Sequence, residues 1–218
     1  MPSASAAALD AVTLDAMGTL VELADPVEPL RRALEERGVS ASTADIRAAF
    51  AAEVAYYVPR AHEGRDEESL RSLGRACAGV FLEHLGAGLD SEEFAPRFVG
   101  ALSFRPLDGT VEALGALRGA GLALACVSNW DASLRAHLER VGLDNGLDAV
   151  VSSAEAGATK PDPAILRLAL ERLGTRPERT LHVGDEEVDE EVAAAAGVLF
   201  EPAPIATLPE RLGLRGAT

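Results

Sequence analysis

Asp15 closes a short apolar run, Val12-Thr13-Leu14, and opens the turn Ala16-Met17-Gly18-Thr19-Leu20. An acid at the carboxyl end of a strand stands where open α/β sheets bind ligands. A carboxylate there can attack phosphorus or carbon, giving an ester that water later cleaves. Gly18 permits the tight turn, and Thr19 is expected to donate a hydrogen bond that orients Asp15. Taken alone, Asp15 could equally cap the turn that follows it. Ser128 ends a second apolar run, and its hydroxyl and the amide of Asn129 can meet the oxygen of a transferred group. The same serine can cap the next helix, and the two roles are compatible.

Lys160 is the only lysine in a chain with 20 lysines and arginines. A protein that otherwise uses arginine and keeps one lysine points to a need for a compact charge rather than a planar fork. Pro161 and Pro163 stiffen the backbone around it. Asp185 and Asp189 follow the run Thr180-Leu181-His182-Val183-Gly184. Two carboxylates so close repel each other unless a cation lies between them, and Mg²⁺ with one or two carboxylates plus phosphate and water suits that need. A solvated acidic face would explain Glu186, Glu187, Glu190 and Glu191 better than it explains Asp185. A calcium hand is excluded, because Glu190 stands where that loop requires glycine. A separate basic and aromatic segment holds Tyr57, Arg60, His62 and Arg65 around Pro59 and Gly64. It is read either as a contact for an anionic substrate or as a solvated loop.

The elements that must position these groups follow from periodicity. Residues 11–15 read as a buried strand. From Asp25 to Phe98 the period is helical throughout. Ser42 and Asp45 predict a capped helix carrying Ile46, Ala49, Phe50, Val54 and Tyr57 on one face, and ending before Pro59. Further helices are predicted from about Asp66 through Leu85 and from Ser91 to Leu102. Four helices without intervening strands predict a small bundle inserted after the first strand. From Ala123 onward, strands at 123–127, 149–152, 180–183 and 198–200 alternate with helices, the pattern of a parallel sheet with crossover connections. The fold expected is α/β, with a core at 1–21 and 104–218 and a helical insert at 22–103.

Composition excludes several roles. The net charge of −15 and an aromatic content of 4% oppose nucleic-acid and anionic-membrane partners. A small phosphorylated ligand remains compatible, because one metal and one lysine can reverse the local sign. The apolar content of 48% supports a sizeable core. Cys77 and Cys126 match no metal spacing and read as buried residues in a reducing compartment. Residues 1–6 lack the basic and apolar regions of a secretory signal, and no uncharged run is long enough for a bilayer. These features predict a cytoplasmic protein, monomer or homodimer.

In their order along the chain, Asp15-Ala16-Met17-Gly18-Thr19-Leu20, Val127-Ser128-Asn129, Lys160-Pro161-Asp162-Pro163 and Val183-Gly184-Asp185 with Asp189 resemble the four motifs of the haloacid dehalogenase superfamily of hydrolases. The resemblance implies a doubly wound, Rossmann-like parallel sheet, with a helical C1-type cap closing over the strand ends. It implies that Asp15 is the nucleophile of an aspartyl-phosphate pathway and that Ser128 and Lys160 hold the phosphate. It implies further that Asp15, Asp185, Asp189 and the backbone carbonyl of Met17 hold Mg²⁺. Met17 departs from the phosphatase pattern, which places there a second Asp that protonates the leaving oxygen. Metal-free 2-haloacid dehalogenases also lack that acid, but they replace the Gly-Asp of the last motif. Three readings stay open: a Mg²⁺-dependent phosphatase of a small phosphorylated metabolite, a metal-free dehalogenase, and a catalytically weak phosphate-ligand binder.

Overall fold

The computed structural model describes residues 9–214; the N-terminal stretch read above as lacking a secretory signal lies outside them. The chain divides into two compact units, one of residues 1–22 and 105–218 and the other of residues 23–104.

The first unit is built on a five-stranded, wholly parallel sheet. β1 (Ala11–Leu14) is buried along its whole length, as a strand covered on both faces must be. A short ribbon follows, β2 (Val21–Leu23) paired with β3 (Phe104–Pro106), which periodicity did not predict because three residues carry no readable alternation. Between these two strands the chain forms α1 (Val27–Glu35), α2 (Thr43–Tyr57), α3 (Glu67–Leu85) and α4 (Ser91–Ala101). After the ribbon come α5 (Thr110–Gly119), β4 (Ala123–Ser128), α6 (Leu134–Arg140), β5 (Ala149–Ser152) and α7 (Ser153–Ala156). The chain continues with α8 (Ala164–Leu173), β6 (Thr180–Gly184), α9 (Glu187–Ala196), β7 (Leu199–Pro202) and α10 (Leu208–Arg211).

The sheet order is β5-β4-β1-β6-β7. The chain therefore runs outward from β1 in one direction, then returns to build on the other side of β1. Such a reversal opens a crevice at the carboxyl ends of the strands. Side-chain alternation sends Ala125 and Val127 of β4, with Ala149 and Val151 of β5, to one face, where Ile165, Leu166, Ala169 and Leu170 of α8 and Val192 and Ala193 of α9 cover them. Helices α5 and α6 contact β4 and β5. The arrangement is the doubly wound α/β fold.

The second unit is helical. Asp66 and Ser69 form a reciprocal capping box that starts α3, and Gly86 ends it in the left-handed conformation. Phe81 of α3 stacks on Phe94 of α4 at 6.3 Å between centroids and tilts against Phe98 at 5.2 Å. Ser42 caps α2 as its spacing predicts, accepting from the Asp45 amide. The buried face of α2 differs from expectation. Glu53 is buried with Ile46 and Ala49, whereas Val54 is 38% exposed. The helix is thus turned by one position, and a carboxyl occupies a core place that sequence reading gives to an apolar side chain. The segment after α2 is a 3-10 turn over Val58–Glu63 rather than a loop, with Pro59 in its first turn, where a missing N–H costs nothing.

Candidate functional site

Three strand ends converge at the crevice. Asp15 leaves β1, and its amide donates to the Val183 carbonyl of β6 at 2.9 Å, which fixes the backbone at that point. Ser128 ends β4, buried beside Ser152 of β5 in the register. Gly184 ends β6 and Asp185 follows it.

Lys160 reaches this site from the loop ahead of α8. Its Nζ donates to Oδ1 of Asp15 and to Oδ1 of Asp189, both at 2.5 Å. Asn129 holds the lysine backbone by two reciprocal bonds. The Lys160 amide donates to Asn129 Oδ1 at 2.7 Å, and Asn129 Nδ2 donates to the Lys160 carbonyl at 3.2 Å. The Asn129 side chain thus holds the Lys160 backbone, a part the sequence reading did not assign to it. The lysine side chain is only 3% exposed. Burial by itself lowers an ammonium pKa, but the charges of Asp15 and Asp189 outweigh it and hold Lys160 above its ordinary value.

Asp189 belongs to the first turn of α9 rather than to the loop with Asp185. Its carboxylate accepts from the Glu186 amide on Oδ2 at 3.1 Å and closes a capping box. Burial works to raise its pKa, but hydrogen bonding from His182 and the charge of Lys160 prevail and leave it well below the usual carboxylate range. His182 on β6 was not singled out from the sequence. It is fully buried, with Nε2 at 3.3 Å from Asp189 Oδ1 and Nδ1 at 2.9 Å from the hydroxyl of Thr13. Burial, seconded by the charge of Lys160, pushes its pKa down.

Thr19 does not orient Asp15 as expected. Its hydroxyl donates to Asp185 Oδ1 at 3.2 Å. The reason is the turn. Amides of Leu20 and Val21 return to the Ala16 carbonyl and wrap residues 16–21 into a compact loop, which carries the Thr19 hydroxyl to Asp185. Gly18, at φ +75°, lies so close to Asp185 that a β-carbon there would meet its carboxylate. The bridge between Met17 and Val21 uses the Ala16 carbonyl and the Gly18 amide, and neither bond consumes the Met17 carbonyl. Met17 is 39% exposed.

Oxygens of Asp15, Asp185 and Asp189 lie within 4.8 Å of one another. Against these three carboxylates stands one ammonium, that of Lys160. Asp185 carries the strain of that imbalance. Burial and the neighbouring charge of Asp15 push its pKa up, partly opposed by the Thr19 hydrogen bond. The donors are hard oxygens, and the charge that would settle them is divalent and positive, so the residues present fit a magnesium-like cation.

Tyr57, Arg60, His62 and Arg65 gather on the 3-10 turn and its flanks in the helical unit. There the Arg60 guanidinium lies over the Tyr56 ring at 4.1 Å and donates to the Tyr56 carbonyl at 2.9 Å. Cys77 and Cys126 are both buried and form no disulfide. No helix among the described residues is long and apolar enough to cross a membrane.

Comparison with known proteins places these features in a family. A phosphoglycolate phosphatase of Rhodospirillum rubrum is 35% identical over 182 residues, which cover 83% of this chain and 67% of that protein. The haloacid dehalogenase-like hydrolase domain-containing protein 3 of Mus musculus is 40% identical over 88 residues, and the match covers 40% of this chain and 35% of the mouse protein. Among solved structures, the L-2-haloacid dehalogenase of Xanthobacter autotrophicus superposes with a TM-score of 0.65 at 27% identity, covering 88% of this chain and 76% of that one. The family of haloacid dehalogenase-like hydrolases matches residues 9–197, from the start of β1 to the end of α9. That span holds every strand-end residue of the crevice, and the chain belongs to the haloacid dehalogenase-like hydrolases.

Proposed function

We propose that this hydrolase is a Mg²⁺-dependent phosphatase of small phosphorylated metabolites, working through an aspartyl-phosphate on Asp15. One observation carries the reading: three carboxylates converge within 4.8 Å around a single lysine. A metal-free dehalogenase would have to bring an anionic haloacid into that excess of negative charge. Asp15, Asp185, Asp189 and the Met17 carbonyl would hold a metal that would offset this charge and would supply electrostatic stabilisation to the phosphoryl oxygens.

Asp15 attacks phosphorus; the bond to the leaving oxygen breaks and that oxygen leaves with the electron pair. Lys160 orients the attacking carboxylate. Two of its three N–H groups point to Asp15 and Asp189, and the third is assigned to a phosphoryl oxygen. Ser128 and the Asn129 amide receive another. Water then cleaves the aspartyl ester, releasing phosphate and restoring Asp15. Methionine at position 17 has no proton to give, so the leaving group must depart as a stable anion or bring its own proton. Selectivity among leaving groups is proposed for Tyr57, Arg60, His62 and Arg65 of the helical unit, on the family resemblance and their basic and aromatic character alone. The R. rubrum relative is named for phosphoglycolate, whose leaving group is an alkoxide; this chain is expected to favour aryl or acyl phosphates over it. The buried cysteines and the acidic surface fit a cytoplasmic enzyme.

The test is a comparison of p-nitrophenyl phosphate and 2-chloropropionate with and without Mg²⁺. Mg²⁺-dependent phosphate release, abolished in Asp15→Asn, is the expected result. Metal-independent chloride release with no phosphatase activity would establish the dehalogenase reading instead. Calorimetry completes it: Asp185→Asn should weaken Mg²⁺ binding at least tenfold, while Glu190→Gln, on the exposed side of α9, should leave it nearly unchanged.

A further inference from the structure

We propose that Thr13 and His182 are positioning residues, a buried hydrogen-bond chain that fixes the Asp189 carboxylate and, through it, the Lys160 ammonium. Neither residue is among the four motifs, and neither touches the crevice.

The two residues are register partners on neighbouring parallel strands, Thr13 of β1 against His182 of β6, and both are fully buried. The rest of β1 is Ala11, Val12 and Leu14, and in β6 His182 stands between Leu181 and Val183. Polar groups in such a layer cost free energy unless they are bonded. Mutual satisfaction would need only the Thr13 hydroxyl and one ring nitrogen. The second nitrogen points to Asp189, which makes the pair a link to the site rather than a closed pair.

Donor and acceptor roles follow by elimination. Asp189 sits against the Lys160 ammonium and is ionised, so it accepts only. Nε2 of His182 must therefore carry the proton. With one proton placed on Nε2 and the Thr13 hydroxyl closer to Nδ1 than to the Leu181 carbonyl, Nδ1 is assigned the acceptor role. The Thr13 hydroxyl must then donate to Nδ1, at 2.9 Å, in preference to the Leu181 carbonyl at 3.4 Å. The chain runs one way, from Thr13 to His182 to Asp189. Oδ1 of Asp189 is thereby held between His182 and Lys160, and Oδ2 is held by the Glu186 amide. A carboxylate tied from three directions cannot rotate, and the lysine bonded to it keeps its place beside Asp15. The same immobility would preserve the geometry of a metal-holding acid, as partners behind a ligand generally do.

The kinetic arm of the test rests on the phosphatase reading; the spectroscopic arm does not. Nitrogen NMR of the full chain with ¹⁵N-labelled histidine, without metal, reads the tautomer directly, with His182 identified by loss of its signals in His182→Gln. The expected ring is neutral with Nε2 protonated and Nδ1 bare. A ring protonated on Nδ1, or on both nitrogens, would overturn the proposal. With Mg²⁺ and p-nitrophenyl phosphate, His182→Leu should lower kcat at least tenfold with KM changed less than threefold. His182→Gln, which keeps a donor for Asp189 and an acceptor for Thr13, should stay within threefold of wild type. Equal losses in the two variants would mean that only ring volume matters and would overturn the role. Thr13→Val should lower kcat in the same direction as His182→Leu, and an unchanged kcat would remove Thr13 from the chain. If the wild-type ring shows the expected tautomer but no phosphate ester is cleaved, the phosphatase reading fails and the hydrogen-bond chain stands.

Discussion

Met17 is the residue at which this chain parts from the phosphatase pattern; it is 39% exposed and lies two residues after Asp15. Proton donation to a departing oxygen is worth roughly 10²–10⁴ in rate. Met17→Asp should therefore raise turnover of an alkyl phosphate such as 2-phosphoglycolate by at least about tenfold. It should change p-nitrophenyl phosphate little, because that leaving group departs without a proton. The ratio of the two kcat values is the measurement, and a ratio that does not move would show that the substrate or another side chain already delivers the proton. Asp15, Lys160 and Asp185 were legible in the sequence because each is chemically odd: the two acids follow the ends of apolar runs, and the lysine is the only one among arginines. His182 was odd too, but its partners are 169 residues back and 7 residues ahead. No local pattern links Thr13 to it; only the parallel pairing of β1 with β6 does.

At the scale of elements, the ends of β1 and β6 are held close by glycine. Gly184 ends β6, and a β-carbon there would collide with the Asp189 carboxylate. The first turn of α9 can fold back on the strand end only because that space is empty. Gly184→Ala should displace Asp189 and cost about 1–3 kcal/mol of stability, the usual scale for overpacking. It should also lower kcat more than the stability loss explains. Urea unfolding and kinetics on the same preparation separate the two effects, and wild-type kcat in a destabilised variant would refute the displacement. Strand and helix order was readable because the hydrophobic period changes from helical to strand–helix alternation near residue 104. The rotation of α2 was not. Ala49, Glu53 and Tyr57 lie on nearly the same stripe as Phe50 and Val54, and a difference of one residue decides which is buried.

At the scale of the whole chain, acids outnumber bases by 15, and nearly all of that excess can be solvated at little cost. Glu53 is an exception, at 4% exposure inside the helical unit. Burial pushes its pKa up, opposed by a hydrogen bond with the Cys77 side chain. The sign follows from the direction. In the unfolded chain Glu53 ionises near its ordinary pKa, while in the folded chain it resists. The folded state therefore loses stability as pH rises above that ordinary value. Glu53→Gln should be close to neutral at pH 5 and stabilising at pH 8, by on the order of 1 kcal/mol. Thermal melts at the two pH values test this, and an equal shift at both would show that the carboxyl is not the source.

The solitary lysine has a practical consequence for chemistry done on the protein. Its side chain is 3% exposed, and every other cationic side chain of the sequence is an arginine or a histidine. Amine-directed acylating reagents, including those that immobilise or crosslink proteins, find no lysine on the surface of this chain. Among the lysines of this sequence only Lys160 is left to them, and its burial makes that reaction slow. The extent of acylation at Lys160, read by peptide mass spectrometry, thus becomes a footprint of the crevice against a silent background. An occupant that seats on the ammonium should suppress it, and disruption of the Asn129 clamp should accelerate it.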